Sequence, residues 1–108
     1  MPHITLYQEK VARLKSIVTA TIDDSGQLLV EGYDNGELVE RTWGESDYEY
    51  GMKLASQSVE KLKAVFDLSE NEALLSEIQR CFGGALAFST FKLFLDQYGI
   101  EYEYFSWN

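Results

Sequence analysis

The chain of 108 residues carries 18 acidic and 9 basic side chains, which gives a net charge of −9. Hydrophobic residues make up 45% of the sequence, and we expect one domain over residues 1–108 with a buried core. The negative charge argues against direct binding to nucleic acid or to anionic membranes, because both attract basic surfaces.

A single cysteine, Cys81, excludes an intramolecular disulfide. The sequence opens without the basic-then-apolar pattern of a signal peptide. No apolar run approaches the roughly 18–20 residues needed to span a bilayer. We therefore expect a cytoplasmic protein.

One segment, residues 23–49, holds most of the negative charge. It contains nine acids against one base, Arg41. The acids are Asp23, Asp24, Glu31, Asp34, Glu37, Glu40, Glu45, Asp47 and Glu49. Charge concentrated in this way indicates a surface that meets a basic partner or that confers solubility.

The first half of the chain predicts an antiparallel meander. Residues 4–7 suit a short strand, and residues 8–14 also tolerate a helix. Residues 15–23 and 27–33 predict a hairpin around the turn sequence DDSG, in which Asp and Ser bond to backbone and Gly accepts positive φ. An Asn-Gly pair predicts a second turn at 34–36, followed by a strand over 37–43 and a turn over 44–46.

Residues 47–54 alternate with a period of two, which predicts a strand with one packed and one wet face. The packed face comprises Tyr48, Tyr50, Met52 and Leu54, and the wet face comprises Asp47, Glu49 and Lys53.

The spacing then changes to 3.6 residues, which predicts helices. The first covers residues 56–66. A capping box between Ser69 and Glu72 predicts the start of the second, which ends at Gly83. A third helix follows over 86–98 and ends at Gly99, and residues 100–107 alternate again as a closing strand. The predicted fold class is α+β: an antiparallel sheet with about three helices packed on one face, in two layers.

Catalytic candidates are few. His3 lies near the N-terminus, where a general base would lose the positioning that catalysis needs. Cys81 falls within an apolar helical stripe, so we expect a buried core thiol and not a nucleophile. The acidic turns lack the spacing of a calcium loop, and no Cys/His cluster suits zinc, so we expect no metal and no cofactor.

Paired carboxylates leave a small enzyme open as an alternative. Asp47 with Glu49, and Glu101 with Glu103, share a strand face about 7 Å apart, as in some glycosidases. Such pairs are more typical of a solvated strand face. We expect a binding protein and not an enzyme.

Three stretches resemble small bacterial immunity proteins of polymorphic toxin systems, including contact-dependent growth inhibition. They are residues 26–36 (GQLLVEGYDNG), residues 43–50 (WGESDYEY) after a Val-Glu pair at 39–40, and residues 99–107 (GIEYEYFSW). The likeness runs from about residue 15 to the end. The family often has Gly-Asp-Ser-Asp where this chain has Gly-Glu-Ser-Asp at 44–47. The resemblance implies an inhibitor that neutralises a toxin, such as a tRNase or another nuclease, in the cytoplasm of the producing cell.

The acidic segment and the resemblance together predict a partner: a cognate toxin domain with a basic cleft. The predicted contact set is Asp34, Glu37, Glu45, Asp47 and Glu49. The alternative is an acidic adaptor or nucleic-acid mimic that binds a basic housekeeping protein. The sequence leaves the oligomeric state open.

Overall fold

Within the residues that the structure describes, five strands form one antiparallel sheet in which neighbours along the chain are also neighbours in space. The structure is a computed structural model that describes residues 2–11, 14–36 and 47–107. The strands are β1 (His3–Val11), β2 (Leu14–Ile22), β3 (Leu28–Gly36), β4 (Asp47–Leu54) and β5 (Glu103–Trp107). The helices α1 (Ser56–Val65), α2 (Asn71–Phe82) and α3 (Ala87–Gln97) lie between β4 and β5 along the chain. The predicted α+β fold is confirmed.

The core lies between the helices and one face of the sheet. Alternate strand residues are buried there, because successive side chains of a strand point to opposite faces. The strands contribute Val18, Ala20, Ile22, Leu28, Val30, Met52 and Leu54, and the helices contribute Leu62, Leu74, Ile78, Phe91 and Leu95. Each of the larger side chains stabilises the fold by about 1.5–3 kcal/mol through burial. No helix in the described ranges has the length and apolar character needed to cross a membrane.

The turn between β2 and β3 has the predicted chemistry. One carboxylate oxygen of Asp23 accepts hydrogen bonds from the backbone amides of Ser25 and Gln27, both at 3.0 Å. Gly26 adopts a φ of 84° and donates its amide to the Asp23 carbonyl. These hydrogen bonds lower the pKa of Asp23, the largest contribution coming from the Gln27 amide.

The second predicted turn, at residues 34–36, is wrong. Those residues continue β3, in which Asp34 lies opposite Tyr48 and Asn35 opposite Asp47. The ladder to β4 and a hydrogen bond from the Ser16 hydroxyl to Asp34 outweigh the local turn preference of Asn-Gly. The predicted strand over 37–43 and the turn over 44–46 lie outside the described residues.

Two predictions for α2 are also wrong. The helix begins at Asn71 after Glu70, with no side-chain cap, so the capping box between Ser69 and Glu72 does not form. Cys81 is exposed and not buried, because Leu74, Leu75 and Ile78 form the inward stripe. The Cys81 thiol lies 3.4 Å from a Glu77 carboxylate oxygen; slight desolvation and this hydrogen bond raise its pKa.

The edge strand β1 contains an irregularity between Thr5 and Tyr7. The Thr5 carbonyl accepts a hydrogen bond from the Gln79 side-chain amide at 2.9 Å, and the Leu6 carbonyl accepts one from the Gly84 amide at 3.2 Å. Two consecutive carbonyls of this strand are thus bonded to α2 and to the residues that follow it.

The helices α1 and α3 end in the same way. At α3, the amides of Gly99 and Ile100 bond to the carbonyls of Asp96 and Leu95, and Gly99 has a φ of 66°. This is the Schellman arrangement, with glycine in the left-handed position. At α1, a non-glycine residue, Asp67, occupies the equivalent position with a φ of 56°.

Substitutions at these two helix ends should change the free energy of unfolding in opposite directions. Gly99→Ala should lower the free energy of unfolding by about 1 kcal/mol, because a Cβ disfavours the left-handed conformation. Asp67→Gly should raise it by up to about 1 kcal/mol for the same reason, offset in part by the entropy of glycine. Urea denaturation of both variants tests the pair; the same sign for both would contradict it.

Candidate functional site

The face of the sheet opposite the helices carries a shallow groove. It has a volume of about 230 Å³, and the outward side chains that line it are Ile17, Thr19, Glu31, Tyr33 and Glu49. We call these residues the open-face groove. Glu31 is exposed, whereas Tyr33 and Glu49 are half-buried. The groove therefore presents two carboxylates and an aromatic ring to one approaching surface.

Strand pairing brings these groups together. Tyr33 lies opposite Glu49, and Glu31 lies opposite Gly51 in the same pair of strands. Residues that are diagonal neighbours across two strands lie about 7–8 Å apart, so Glu31 and Glu49 flank Tyr33. In the part of the chain that the structure describes, neither glutamate forms an ion pair; the ion pairs there join helix residues.

An aromatic ring borders the groove because Gly51 has no side chain. The Phe105 ring lies over Gly51: a Cβ added there would be only 2.4 Å from the Phe105 Cζ. Phe105 also lies opposite Gly51 in the ladder between β4 and β5. At the end of the sheet, Lys53 faces Glu103, and Lys15, which alternates with the groove residue Ile17, also lies exposed on this face.

The predicted contact set is divided by the sheet. Asp34 lies on the helix side, where it accepts the hydrogen bond from Ser16, whereas Glu49 lies on the open face. Asp47 begins β4 opposite Asn35, and only its backbone is described. Glu37 and Glu45 lie outside the described residues. Asp34 and the groove residue Tyr33 are adjacent in the chain but point to opposite faces, because successive side chains of a strand alternate.

Glu31 lines the groove but is not in the predicted contact set. Glu31 alternates with the inward residues Leu28 and Val30, and this pattern predicts that its side chain points outward. The neighbouring Glu49 is 18 positions away, and only the strand register brings the two together.

A second surface lies on the helix side at the β4–β5 end of the sheet. Four aromatic residues, Tyr48, Tyr50, Phe88 and Tyr104, line a cavity of about 280 Å³, which we call the tyrosine slot. The ring centroids of Tyr48 and Tyr50 are 5.6 Å apart. Phe88 meets Tyr50 edge-on at 4.7 Å and lies 6.1 Å from Tyr104. The sequence predicted Tyr48 and Tyr50 as core; they are half-buried at its margin.

Tyr50 is placed by a glycine on the neighbouring strand. Its ring lies over Gly32, where an added Cβ would be 2.0 Å from the Tyr50 Cζ. Burial of the ring, together with the negative charge of Asp34, raises the pKa of the Tyr50 hydroxyl to about 12. Tyr48, which hydrogen-bonds to Tyr104, also has a raised pKa, mainly through desolvation. Both hydroxyls therefore stay protonated at neutral pH.

The remaining catalytic candidates are His3 and the pair Glu101 and Glu103, which both line a cavity of about 340 Å³. His3 is exposed in β1, and its Nδ1 lies 2.6 Å from the Thr21 hydroxyl. Glu101 and Glu103 are both exposed. Across the described residues, no group of three His, Cys, Asp or Glu side chains is arranged to hold a metal ion.

Comparison of the chain with protein-family models, curated proteins and solved structures finds no match. The resemblance to immunity proteins therefore stays a prediction.

The raised pKa of Tyr50 predicts a pH-dependent stability. Below pH 10 the hydroxyl is protonated in both states and its contribution is complete. As the pH rises from 10 towards 12, the unfolded state ionises first, so the contribution is lost. Tyr50→Phe should show a shallower decline of melting temperature across that range than the wild type. Melting curves recorded at steps of pH test this; equal declines would contradict it.

Proposed function

We propose that this chain is an immunity protein that binds and neutralises a cognate toxin domain in the cytoplasm of the producing cell. The observation that carries the proposal is the open-face groove, in which two carboxylates flank a tyrosine on a sheet face that the helices leave uncovered. The resemblance of residues 26–36, 43–50 and 99–107 to immunity proteins supplies the class of partner.

The chemistry of the groove selects a basic partner. Glu31 and Glu49 attract positive charge, and the half-buried rings of Tyr33 and Phe105 provide apolar area that an interface can cover. Opposite potentials accelerate encounter, and aromatic anchors hold the complex once it has formed. A nuclease toxin, such as a tRNase, fits this requirement because its substrate cleft must attract phosphates.

The geometry supports one location for the proposed toxin interface. Asp34 and Glu49 lie on opposite faces but at the same end of the sheet, since Asp34–Tyr48 and Tyr33–Glu49 are adjacent pairs. A toxin centred on the open-face groove reaches Glu49 directly. It reaches Asp34 only if it also extends around that end of the sheet. We therefore assign the main contribution to Glu31 and Glu49.

Charge reversal in the groove tests the proposal. The double variant Glu31→Lys with Glu49→Lys should bind the purified toxin domain encoded beside this gene at least about tenfold more weakly, which is about 1.4 kcal/mol. It should also fail to rescue growth when that toxin is expressed. Isothermal titration calorimetry and a growth assay measure the two effects, with circular dichroism to confirm folding.

A matched control separates the site from the total charge. Glu60→Lys with Glu70→Lys changes the net charge equally, at two exposed positions in the helical layer. This variant should bind and protect like the wild type. Equal losses in both double variants, or no loss in the groove variant, would remove the groove from the interface. Absence of binding between the wild-type chain and the toxin would remove the proposed function itself.

The same proposal predicts salt-dependent association. Raising the ionic strength from about 0.05 M to about 0.5 M shortens the screening length severalfold. The association rate constant should fall by about tenfold or more, while the dissociation rate constant changes less. Stopped-flow or biosensor kinetics measure both constants. An association rate that does not respond to salt would show that these acids do not steer the encounter.

A further inference from the structure

The tyrosine slot has a composition that the open-face groove does not share. Its walls are aromatic, and its volume of about 280 Å³ is below the roughly 300–1,000 Å³ that is typical of sites for small-molecule ligands. A space of this size suits one inserted side chain. Tyr104 remains 47% exposed at the mouth, so the slot is accessible to a partner on the helix side.

Negative charge lies next to the slot. Asp34 is directly opposite Tyr48 in the β3–β4 ladder and on the same face of the sheet. Its charge acts on both Tyr48 and Tyr50. Ser16 donates one hydrogen bond to this carboxylate, which has the capacity to accept about four.

Among the described residues, the one cation that lines the slot is Lys92, and it is directed to other partners. Lys92 Nζ lies 3.9 Å from an Asp96 carboxylate oxygen and 5.7 Å from the centroid of the Tyr102 ring. Its charge is partly compensated by the Asp96 carboxylate and by the face of the Tyr102 ring. The slot is lined mainly by ring faces, and Asp34 lies beside it on the neighbouring strand.

We propose that the tyrosine slot binds an arginine side chain presented by a partner protein. A planar guanidinium stacks on aromatic faces and donates hydrogen bonds to a carboxylate in a fork, which a compact ammonium does not do equally well. Tyrosine hydroxyls add acceptors at the rim. The slot lies on the opposite side of the sheet from the open-face groove. A test of arginine binding in the slot is therefore independent of a test of toxin binding in the groove.

Short peptides test the site directly. The probes are acetyl-Gly-Arg-Gly-amide, its lysine analogue and its neutral citrulline analogue, each titrated into the labelled protein and followed by NMR. The arginine peptide should shift resonances of Phe88 and Tyr104 with a dissociation constant of about 1–10 mM, an affinity appropriate to one side chain. Lysine should bind more weakly, and citrulline should give no saturable shift.

Three variants identify the source of the affinity. Asp34→Asn, which keeps the acceptor for Ser16, should weaken arginine binding by about fivefold, and Tyr104→Leu should weaken it by a similar factor. Lys92→Gln should tighten it by about twofold, because it removes a positive charge near the slot. Glu103→Gln, an equal loss of charge on the other face of the sheet, serves as the control and should leave the affinity unchanged. Thermal melts of each variant confirm folding.

The alternative outcomes overturn the proposal. Equal binding of the citrulline peptide would show that the slot does not recognise a cation. Shifts produced by inorganic phosphate and abolished by Lys92→Gln would make the slot an anion site. No saturable shift with the arginine peptide at about 50 mM would exclude the site at any useful affinity.

Discussion

The register between β3 and β4 is the constraint on which the rest of the structure depends. It pairs Val30 with Met52 and Leu28 with Leu54 on the side that the helices cover. The same pairing places Glu31 and Glu49 on the opposite side. A slip of one residue would exchange the two faces of a strand, burying carboxylates and exposing the core. The hydrophobic pattern therefore fixes the position of the charged groove as firmly as it fixes the core.

Two glycines give each face its aromatic character. Gly32 leaves space on the helix side for the Tyr50 ring, and Gly51 leaves space on the open face for Phe105. In both cases a ring from the next strand covers the glycine. Glycine within a strand weakens it locally, but here the loss is offset by close contact with an aromatic ring. The tyrosine slot and the rim of the groove thus share one feature on opposite faces: a glycine covered by an aromatic ring from the next strand.

The sequence was sufficient for features that depend on local chemistry. Alternation over residues 47–54 predicted a strand, and the stripe spacing gave the helices to within two residues at each end. The turn around Asp23 followed from its own side chains. These signals act over a few residues, so they can be recognised in the sequence without the tertiary structure.

Features that depend on pairing were not accessible in this way. The Asn-Gly pair at 35–36 has a strong local preference for a turn, yet pairing with β2, and at Asn35 also with β4, keeps it in the strand. Cys81 matched a helical stripe whose inward direction is set by where the helix meets the sheet. The neighbourhood of Glu31 and Glu49, and the placement of Tyr50 over Gly32, require the register. Within the predicted contact set, the register places Asp34 and Glu49 on opposite faces of the sheet.

The hydrogen bonds from Gln79 and Gly84 to β1 have a consequence for self-association. Sheets extend into fibrils when copies join edge to edge, and this requires an acceptor edge at both ends of each copy. Here the carbonyls of Thr5 and Leu6 are already occupied at the middle of one edge. If two copies paired through their β5 strands, the assembly would stop at a symmetric dimer. Each copy would then expose only its β1 edge, at which these two carbonyls are already bonded. A chain that concentrates β-branched residues in long strands is in this way protected from open-ended polymerisation.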